Sequence, residues 1–417
     1  MSIIPKFIFS RRYEGIYCKT IILGICITTK LKHIPKKNIE LDIENEFKII
    51  RNDNYVEKNK NVGILLSFGI GDYLLFRPFL QYIRNYYEDY NITLIVAIHS
   101  GNYKDIIMHF DIQNVDEIIL FNFFTENLDK KLNLFFADKK YNILISHFYG
   151  RGYGFNFLAE KINAMTKICS YGSLWHTSKF DREYTLSLYN KVIRNNVDED
   201  EVTHELDINK NFFEQLFNLE IDINSFNILL KEDFFNKINF DFNNKYCIIF
   251  PYASIPLKYY DIKKYSSICK YLFDKYNIIS YIVGSENNFN ITNDFINDSN
   301  SHYIKNICGK YKLDELFYIF NKAKLIITVD SAGYHMGVFT NSNVICISNG
   351  MTYHRYLLYN DNFVHTKNIN IILPKILEND IKSNSINKIG FEYYPMYDVN
   401  TITPDEICDL IDRKYSL

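Results

Sequence analysis

The sequence predicts an α/β protein with two doubly wound parallel-sheet domains that face each other across a cleft. Apolar, strand-like runs alternate with helical patterns over residues 62–148 and again over 246–350. That alternation is typical of parallel strands joined by helical crossovers. A polar, loop-rich segment (195–245) separates the two halves, and 417 residues are more than one typical core holds.

The elements of the first half follow from hydrophobic periodicity. Buried strands are predicted over 62–68, 92–98, 115–121 and 141–148. The segment 72–88 carries apolar residues at helical spacing, and Pro78 interrupts that helix.

The second half repeats this pattern. Strands are predicted over 246–254, 278–286, 325–331 and 343–350, with helices over 260–276, over 312–323 and from about Gly333. A last helix is predicted over 403–414, because Thr403 is a good N-cap and Pro404 suits the first turn.

Four regions are expected along the chain. Residues 1–60 form a Lys-rich N-terminal extension that ends in a polar linker, and the alternation of Ile and Thr over 20–29 around Gly24 predicts a small β-hairpin. The two Rossmann-like domains are placed at 61–240 and 241–390, and residues 391–417 hold the C-terminal helix.

Composition and charge exclude several classes of protein. Hydrophobic residues make up 47% and charged residues 23%, a soluble globular balance, and a net charge of -2 gives no indication of nucleic-acid binding. The eight cysteines form no CxxC pair, which favours reduced thiols over a disulfide framework or a zinc site. The apolar stretch 20–29 is too short to span a bilayer. We therefore expect a cytoplasmic protein.

A glycine turn follows the first strand of the first half. Gly69 and Gly71 permit a tight turn with close backbone approach, and Asp72 opens the next helix. A dinucleotide fingerprint would need a third glycine, where Leu74 stands. The residues alone leave two interpretations open, a helix-capping carboxylate and a catalytic one.

Two turns of the second half carry polar groups at strand ends, where ligands bind in open α/β sheets. Ser254 and Lys258 follow its first strand, and the lysine could meet a phosphate or could simply be exposed. Gly284 and Glu286 follow the next strand, and the glutamate could accept hydrogen bonds from a ribose or could simply begin a helix.

The stretch "DSAGYHMG" follows a third buried strand of that half. Asp330 can accept hydrogen bonds from sugar hydroxyls, and the small residues Ser331, Ala332 and Gly333 expose backbone N–H groups to a diphosphate. His335 lies about one turn into the helix, where it could donate to a phosphate oxygen. A capped helix with a packed histidine is the alternative.

Together these four turns resemble the glycosyltransferase family that includes the bacterial lipopolysaccharide heptosyltransferases, glycosyltransferase family 9. The family's Gly-x-Gly-Asp turn, its small-residue turn with a lysine four residues on, its Gly-x-Glu and its Asp-Ser-Gly-x-x-His signature have counterparts at 69–72, 254–258, 284–286 and 330–335. The resemblance covers about residues 60 to 375.

The resemblance implies a GT-B fold and an inverting, single-displacement transfer. Asp72 would deprotonate the acceptor hydroxyl, which then attacks the anomeric carbon. Lys258, His335 and the backbone near Ser331 would stabilise the leaving nucleoside diphosphate. No metal and no cofactor are expected in this scheme.

It also implies the partners of the site. Glu286 would hold the nucleoside and Asp330 the sugar of a nucleotide-diphosphate sugar. The acceptor would be a hydroxyl of a bacterial cell-surface glycan or glycolipid, such as lipooligosaccharide or capsule, so peripheral association with the inner membrane is expected. A GT-B-fold nucleotide-sugar epimerase and an inactive nucleotide-sugar-binding module are the alternatives.

The sequence departs from the family pattern at two places, one that bears on donor binding and one that bears on the sugar. Ala332 stands where the signature has glycine, and a positive φ there would cost an alanine about 1 kcal/mol. The loop 348–359 is richer in aromatic residues than we expect of heptosyltransferases, so the resemblance does not identify the sugar that is transferred.

Overall fold

The structure is a computed structural model that divides into two compact units, Met1–Ile43 and Glu44–Leu417. The residues it describes are 9–14, 17–22, 25–30, 43–98, 103–150, 153–174, 177–195, 203–226, 228–360, 363, 368–383 and 397–417.

The first unit contains a three-stranded antiparallel sheet of β1 (Phe9–Glu14), β2 (Tyr17–Ile22) and β3 (Ile25–Lys30). The predicted hairpin corresponds to β2 and β3, which pair with Ile22 opposite Ile25. Gly24, where the turn is predicted, lies outside the described residues.

The second unit contains two sheets. The strands of the seven-stranded sheet are β4 (Lys48–Arg51), β5 (Asn61–Leu66), β6 (Asn91–Ile98), β7 (Glu117–Asn122), β8 (Lys140–Ser146), β9 (Asn163–Ser170) and β10 (Lys191–Ile193). The strands of the six-stranded sheet are β11 (Tyr246–Phe250), β12 (Ile279–Ile282), β13 (Ile304–Asn306), β14 (Leu325–Val329), β15 (Val344–Ile347) and β16 (Ile369–Ile372).

Helices connect the strands of both sheets. Up to β11 they are α1 (Ile43–Glu46), α2 (Ile70–Phe76), α3 (Leu80–Tyr86), α4 (Lys104–Ile106), α5 (Leu128–Phe135), α6 (Tyr153–Lys161), α7 (Lys179–Leu186), α8 (Glu205–Phe217) and α9 (Glu232–Phe235). After β11 they are α10 (Lys264–Tyr276), α11 (Phe289–Ser299), α12 (Leu313–Lys322), α13 (Ala332–Phe339), α14 (Lys375–Lys382) and α15 (Pro404–Lys414).

Both sheets have the doubly wound strand order, which confirms the predicted α/β class with two Rossmann-like domains. The first sheet has the order β10-β9-β8-β5-β6-β7-β4, and its pairs are parallel except that β4 joins β7 in the antiparallel sense. The second has the order β13-β12-β11-β14-β15-β16, parallel throughout. The winding direction reverses between β5 and β8 and between β11 and β14, and ligands bind at such switch points.

Most predicted elements coincide with observed ones within a few residues. The helix predicted over 72–88 is split into α2 and α3, and a 3₁₀ turn from Arg77 to Phe79 joins them around Pro78. Pro78 cannot continue an α-helical hydrogen-bond ladder, which explains the break. The last helix begins at Pro404, with the Thr403 hydroxyl accepting from the Glu406 N–H at 3.3 Å.

Several segments differ from the sequence-based expectation. Four strands, β9, β10, β13 and β16, lie where none was predicted. Residues 48–51, expected in the extension, form the edge strand β4 of the first sheet. The segment 195–245, expected to be loop-rich, contains the 13-residue helix α8, which buries Phe212 and Phe213.

The core of the second sheet includes the C-terminal helix. Ile407 and Ile411 of α15 are buried with Ile268 and Leu272 of α10 in one apolar cluster. The six cysteines whose side chains the structure describes are free and buried. Among the described helices, none combines the length and the apolar character that crossing a membrane requires.

Candidate active site

A cavity of about 910 Å³ lies at the two switch points and receives residues from both sheets. The turn after β5 contributes Gly69 to Asp72, and the loop after β11 contributes Ser254 and Lys258. The turn after β14 contributes Asp330, Ser331, Ala332 and His335. The structure therefore brings together most of the residues that the four sequence turns predicted.

Asp72 lies at the start of α2 and is partly open to this cavity. Its Oδ2 accepts a hydrogen bond from the Gly69 N–H at 3.2 Å, which satisfies one of the free N–H groups at the helix start. Tyr356 lines the same cavity, and its hydroxyl is placed to donate a second hydrogen bond to the carboxyl. Asp72 thus caps the helix and faces the cavity, so the two interpretations of the sequence do not exclude each other.

Burial raises the pKa of the Asp72 carboxyl above its ordinary value. The hydrogen bonds from Gly69 and Tyr356 oppose this shift because they favour the ionised form. The positive charges of Arg355 and Lys258 oppose it further. A carboxyl in this environment is a better proton acceptor than an exposed one.

The two halves of the second unit are closely packed at Gly71. A Cβ on this residue would lie 3.0 Å from Cδ2 of His335, closer than side chains pack without displacement. Glycine here lets the start of α2 approach α13, which places Asp72 and His335 at the same cavity.

Residues from the second half of the unit, among them Lys258, Asp330 and His335, form one side of the cavity, called the second-half wall below. Lys258 and Asp330 form a nearly buried ion pair in this wall. The distance from Lys258 Nζ to Asp330 Oδ2 is 2.8 Å, and the side chains are 11% and 4% exposed. Lys258 Nζ also donates to Thr352 Oγ1 at 3.1 Å, and the Thr352 hydroxyl donates to Asp330. A paired and hydrogen-bonded charge is the form in which burial is tolerated.

The first turn of α13 supplies the small residues of the signature. Ala332 is the first residue of this helix, and it is not among the described non-glycine residues with positive φ. The strain considered for this alanine therefore does not arise. Gly333 is required for another reason, since a Cβ there would lie 2.6 Å from the Phe250 ring.

His335 is buried and linked to Tyr359. Its Nδ1 lies 2.7 Å from the Tyr359 hydroxyl. Burial lowers the pKa of His335 to about 4, while the neighbouring Asp330 opposes that shift. The imidazole is therefore neutral at pH 7, and it offers a hydrogen bond rather than a positive charge.

Glu286 and Ser254 both lie on exposed turns. Ser254 lines the cavity, whereas Glu286 is not among the described residues that do. On the 3₁₀ turn from Glu286 to Asn288, Asn287 and Asn288 line it instead.

The first-half wall beside Asp72 is aromatic. Phe68, Phe123, Phe148 and Phe155 line this side of the cavity. Phe148 and Phe155 are stacked with ring centroids 5.3 Å apart. Aromatic rings present flat apolar faces that suit the C–H faces of sugars.

Sequence reasoning missed the side chains that the loop 348–359 brings to the site. Thr352 and Tyr356 line the cavity, and the buried Arg355 pairs with Glu205 of α8. The aromatic richness of this loop was the one available signal, but it did not indicate a partner. Glu205 lies in a polar segment where a glutamate is usually exposed.

Comparison with known proteins gives one family. The sequence model of glycosyltransferase family 9 (heptosyltransferase) matches residues 162–380, slightly more than half of the chain. The match includes the lysine, aspartate and histidine of the second-half wall, and Asp72 precedes it. No curated protein sequence is significantly similar to this chain.

Solved structures of the same class have a similar fold. A family 9 glycosyltransferase from Veillonella parvula has a TM-score of 0.62 and 17% identity, over 85% of this chain and 97% of that one. E. coli heptosyltransferase WaaC with ADP has a TM-score of 0.61 and 12% identity, over 85% and 99%. E. coli ADP-heptose lipopolysaccharide heptosyltransferase II has a TM-score of 0.58 and 12% identity, over 85% and 98%.

Proposed function

Because the chain belongs to glycosyltransferase family 9, we propose that it transfers a sugar, with inversion, from a nucleoside-diphosphate donor to a hydroxyl of a bacterial cell-surface glycan. The observation that carries the proposal is the arrangement of charged and polar groups around the cavity. A carboxylate from one domain faces a lysine and a helix N-terminus from the other. A base opposite an anion-binding wall is the arrangement that a single displacement needs.

In the proposed reaction Asp72 takes the proton of the acceptor hydroxyl. The acceptor oxygen then forms a bond to the anomeric carbon, and the bond from that carbon to the diphosphate oxygen breaks. The bonding electron pair leaves with the diphosphate. One displacement of this kind inverts the anomeric configuration, and the proton remains on Asp72 until solvent removes it.

The second-half wall stabilises the charge that develops on the diphosphate. The Lys258 ammonium has three N–H groups, and two of them donate to Asp330 and Thr352. We assign the third to a phosphate oxygen. The first-turn N–H groups of α13 add partial positive charge at the same wall.

His335 completes this wall as a neutral donor. If the Tyr359 hydroxyl donates to Nδ1, the imidazole carries its proton on Nε2. We assign the Nε2–H to the diphosphate, and Asp330 to the sugar that the diphosphate carries.

The acceptor belongs on the first-half side, where the aromatic wall lies beside Asp72. Lipooligosaccharide or capsule would supply the acceptor hydroxyl. A glycolipid acceptor would place the protein at the inner face of the cytoplasmic membrane, peripherally attached.

The test is product analysis with a panel of nucleotide-diphosphate sugars, each with and without a glycan acceptor. We expect release of nucleoside diphosphate and a new glycosidic bond only when acceptor is present, with inverted anomeric configuration by NMR. Conversion of donor alone into its epimer would instead identify an epimerase. Nucleotide binding without turnover of any donor would identify an inactive binding module.

The transfer should proceed in excess EDTA, because Lys258 and the α13 N-terminus supply the counter-charge for the diphosphate. The measurement is the transfer rate after exhaustive chelation and again after adding Mg²⁺ or Mn²⁺. A rate that collapses with the chelator and returns with the metal would contradict this assignment.

A further inference from the structure

One loop contacts the donor groups of the second half. This loop, residues 348–359 and called the bridging loop below, follows β15. Its Thr352 bonds to both members of the Lys258–Asp330 pair, and its Tyr359 bonds to His335. The bridging loop therefore holds the side chains that we assign to the diphosphate and the sugar.

The same loop reaches across to the proposed base in the first half. Tyr356 lines the cavity together with Asp72, and its hydroxyl is placed to donate to the Asp72 carboxyl, which also accepts the Gly69 N–H at 3.2 Å. Two donors fixed on different elements leave the carboxylate little freedom to rotate. A carboxylate that is fixed in this way accepts the proton of the acceptor hydroxyl from one direction.

Helix α8 anchors the loop beside Tyr356. Arg355 and Glu205 form an ion pair with side chains 1% and 0% exposed. Separating the two charges of such a deeply buried pair is strongly unfavourable, because each charge would then be buried without a partner and without water. The Arg355 guanidinium also lies 5.2 Å from the centroid of the Tyr149 ring, a cation–π contact with the first half.

His204 fixes the backbone of Tyr356 itself. Its Nε2 lies 3.1 Å from the Tyr356 carbonyl oxygen, and its Nδ1 accepts from the Leu206 N–H at 3.2 Å. A carbonyl can only accept, so Nε2 carries the proton and Nδ1 does not. Both contacts are met by the neutral ring, and burial lowers the pKa of His204 to about 3.

We propose that Tyr356 is a positioning residue for Asp72, and that the Arg355–Glu205 pair holds Tyr356 in place across the cleft. The inference rests on the proposed function in taking Asp72 as the base. It adds that the base is oriented by the same loop that contacts the donor groups. The bridging loop then both orients the base and holds the residues of the second-half wall.

The hydroxyl of Tyr356 also affects the ionisation of the base. Its hydrogen bond favours the carboxylate, so its removal raises the pKa of Asp72. Among the residues that the structure describes, the charged and titratable groups around Asp72 are Arg355 and Tyr356 of the bridging loop, Lys258, Glu205 of α8, Tyr103 and His335 of α13. Tyr356→Phe leaves the other groups unchanged.

The first test compares Tyr356→Phe with wild type in two ways. The pKa of Asp72 is measured by ¹³C NMR of aspartate-labelled protein, with Asp72→Asn used to assign the signal. The acidic limb of kcat/KM for transfer is measured over the same pH range. We expect both to rise by about 1 pH unit or more, since a hydrogen bond to a charged group is lost.

Tyr353→Phe is the matched control. It removes a hydroxyl from the same loop, but its ring packs against Leu373 and Leu377. We expect the wild-type pKa of Asp72 and the wild-type pH profile. A Tyr356→Phe protein with an unshifted Asp72 pKa would overturn the positioning role. The NMR measurement needs no acceptor, so this outcome is separate from a failure of the proposed function, which would appear as unimpaired transfer by Asp72→Asn.

The second test concerns the Arg355–Glu205 pair. The double variant Arg355→Gln/Glu205→Gln removes both charges and avoids stranding one of them. If the pair holds Tyr356, adding Tyr356→Phe to this background should change the Asp72 pKa much less than it does in wild type. An equal change in both backgrounds would show that Tyr356 keeps its place without the pair, and it would overturn that part of the proposal.

Discussion

The Asp72→Asn variant should fold and bind donor like the wild type while transferring sugar roughly 10²–10⁴-fold more slowly. The amide oxygen of asparagine can still accept from the Gly69 N–H, and asparagine serves about as well as aspartate at helix starts. The Tyr356 hydroxyl can accept from the new amide as readily as it donates to the carboxylate. What the amide cannot do is take a proton.

Three measurements on one preparation decide this prediction: the transfer rate, the donor Kd and the melting temperature. Asp181→Asn is a matched control, because Asp181 occupies the same third position of α7 and bonds to the N-cap Ser178. Asp181 is exposed and is not among the residues that line the cavity. We expect that control to retain wild-type turnover. Near-wild-type turnover in a folded Asp72→Asn protein would place the base elsewhere in the cleft.

The sequence predicted the fold well because parallel strands are buried on both faces. The run at 62–66 reads as a continuous apolar strand, and Leu65 and Leu66 are fully buried in β5. The strands that were missed are mostly short ones at or near sheet edges. Residues 304–306 form a three-residue strand with a lysine at its centre, which is too short for any periodicity to show.

The turns of the site could be predicted because each follows a buried strand directly. A charged residue that follows an apolar run and lies within three residues of a glycine is visible in the sequence, as with Asp72 and Asp330. The structure places both at the cavity. Glu286 had the same local pattern but lies on an exposed turn, because the position of a turn relative to the cavity depends on the tertiary fold.

The bridging loop could not be predicted in this way. Its contacts with Asp72 and Glu205 join residues more than a hundred positions apart, and they exist only after the domains pack. In the sequence Arg355 looks like any loop arginine. Only burial shows that it must be paired.

The second large effect is expected at Lys258. Lys258→Met removes the partner of Asp330 and leaves a nearly buried carboxylate, a loss that typically costs about 3–5 kcal/mol of folding stability. The same change removes a donor that we assign to the diphosphate. A single variant therefore cannot separate a structural lysine from a phosphate-binding one.

The double variant Lys258→Met/Asp330→Asn separates these roles. It leaves no unpaired charge, and the Asp330→Asn amide oxygen can still accept from Thr352, so most of the lost stability should return. Affinity for nucleoside diphosphate should not return, because about 1.5–3 kcal/mol of charge-assisted hydrogen bonding, roughly 10–100-fold in Kd, is still missing. Urea unfolding measures the first quantity, and calorimetry with ADP, GDP, UDP and CDP measures the second.

Lys270→Met controls for the loss of a lysine as such, since Lys270 forms an exposed pair with Asp274 within α10. We expect little change in stability there and unchanged nucleotide affinity, because exposed pairs contribute little. If the double variant regained wild-type nucleotide affinity, Lys258 would serve only to neutralise Asp330. The diphosphate would then depend on the N-terminus of α13 and on His335, and the wall would bind its anion mainly through dipoles and neutral donors.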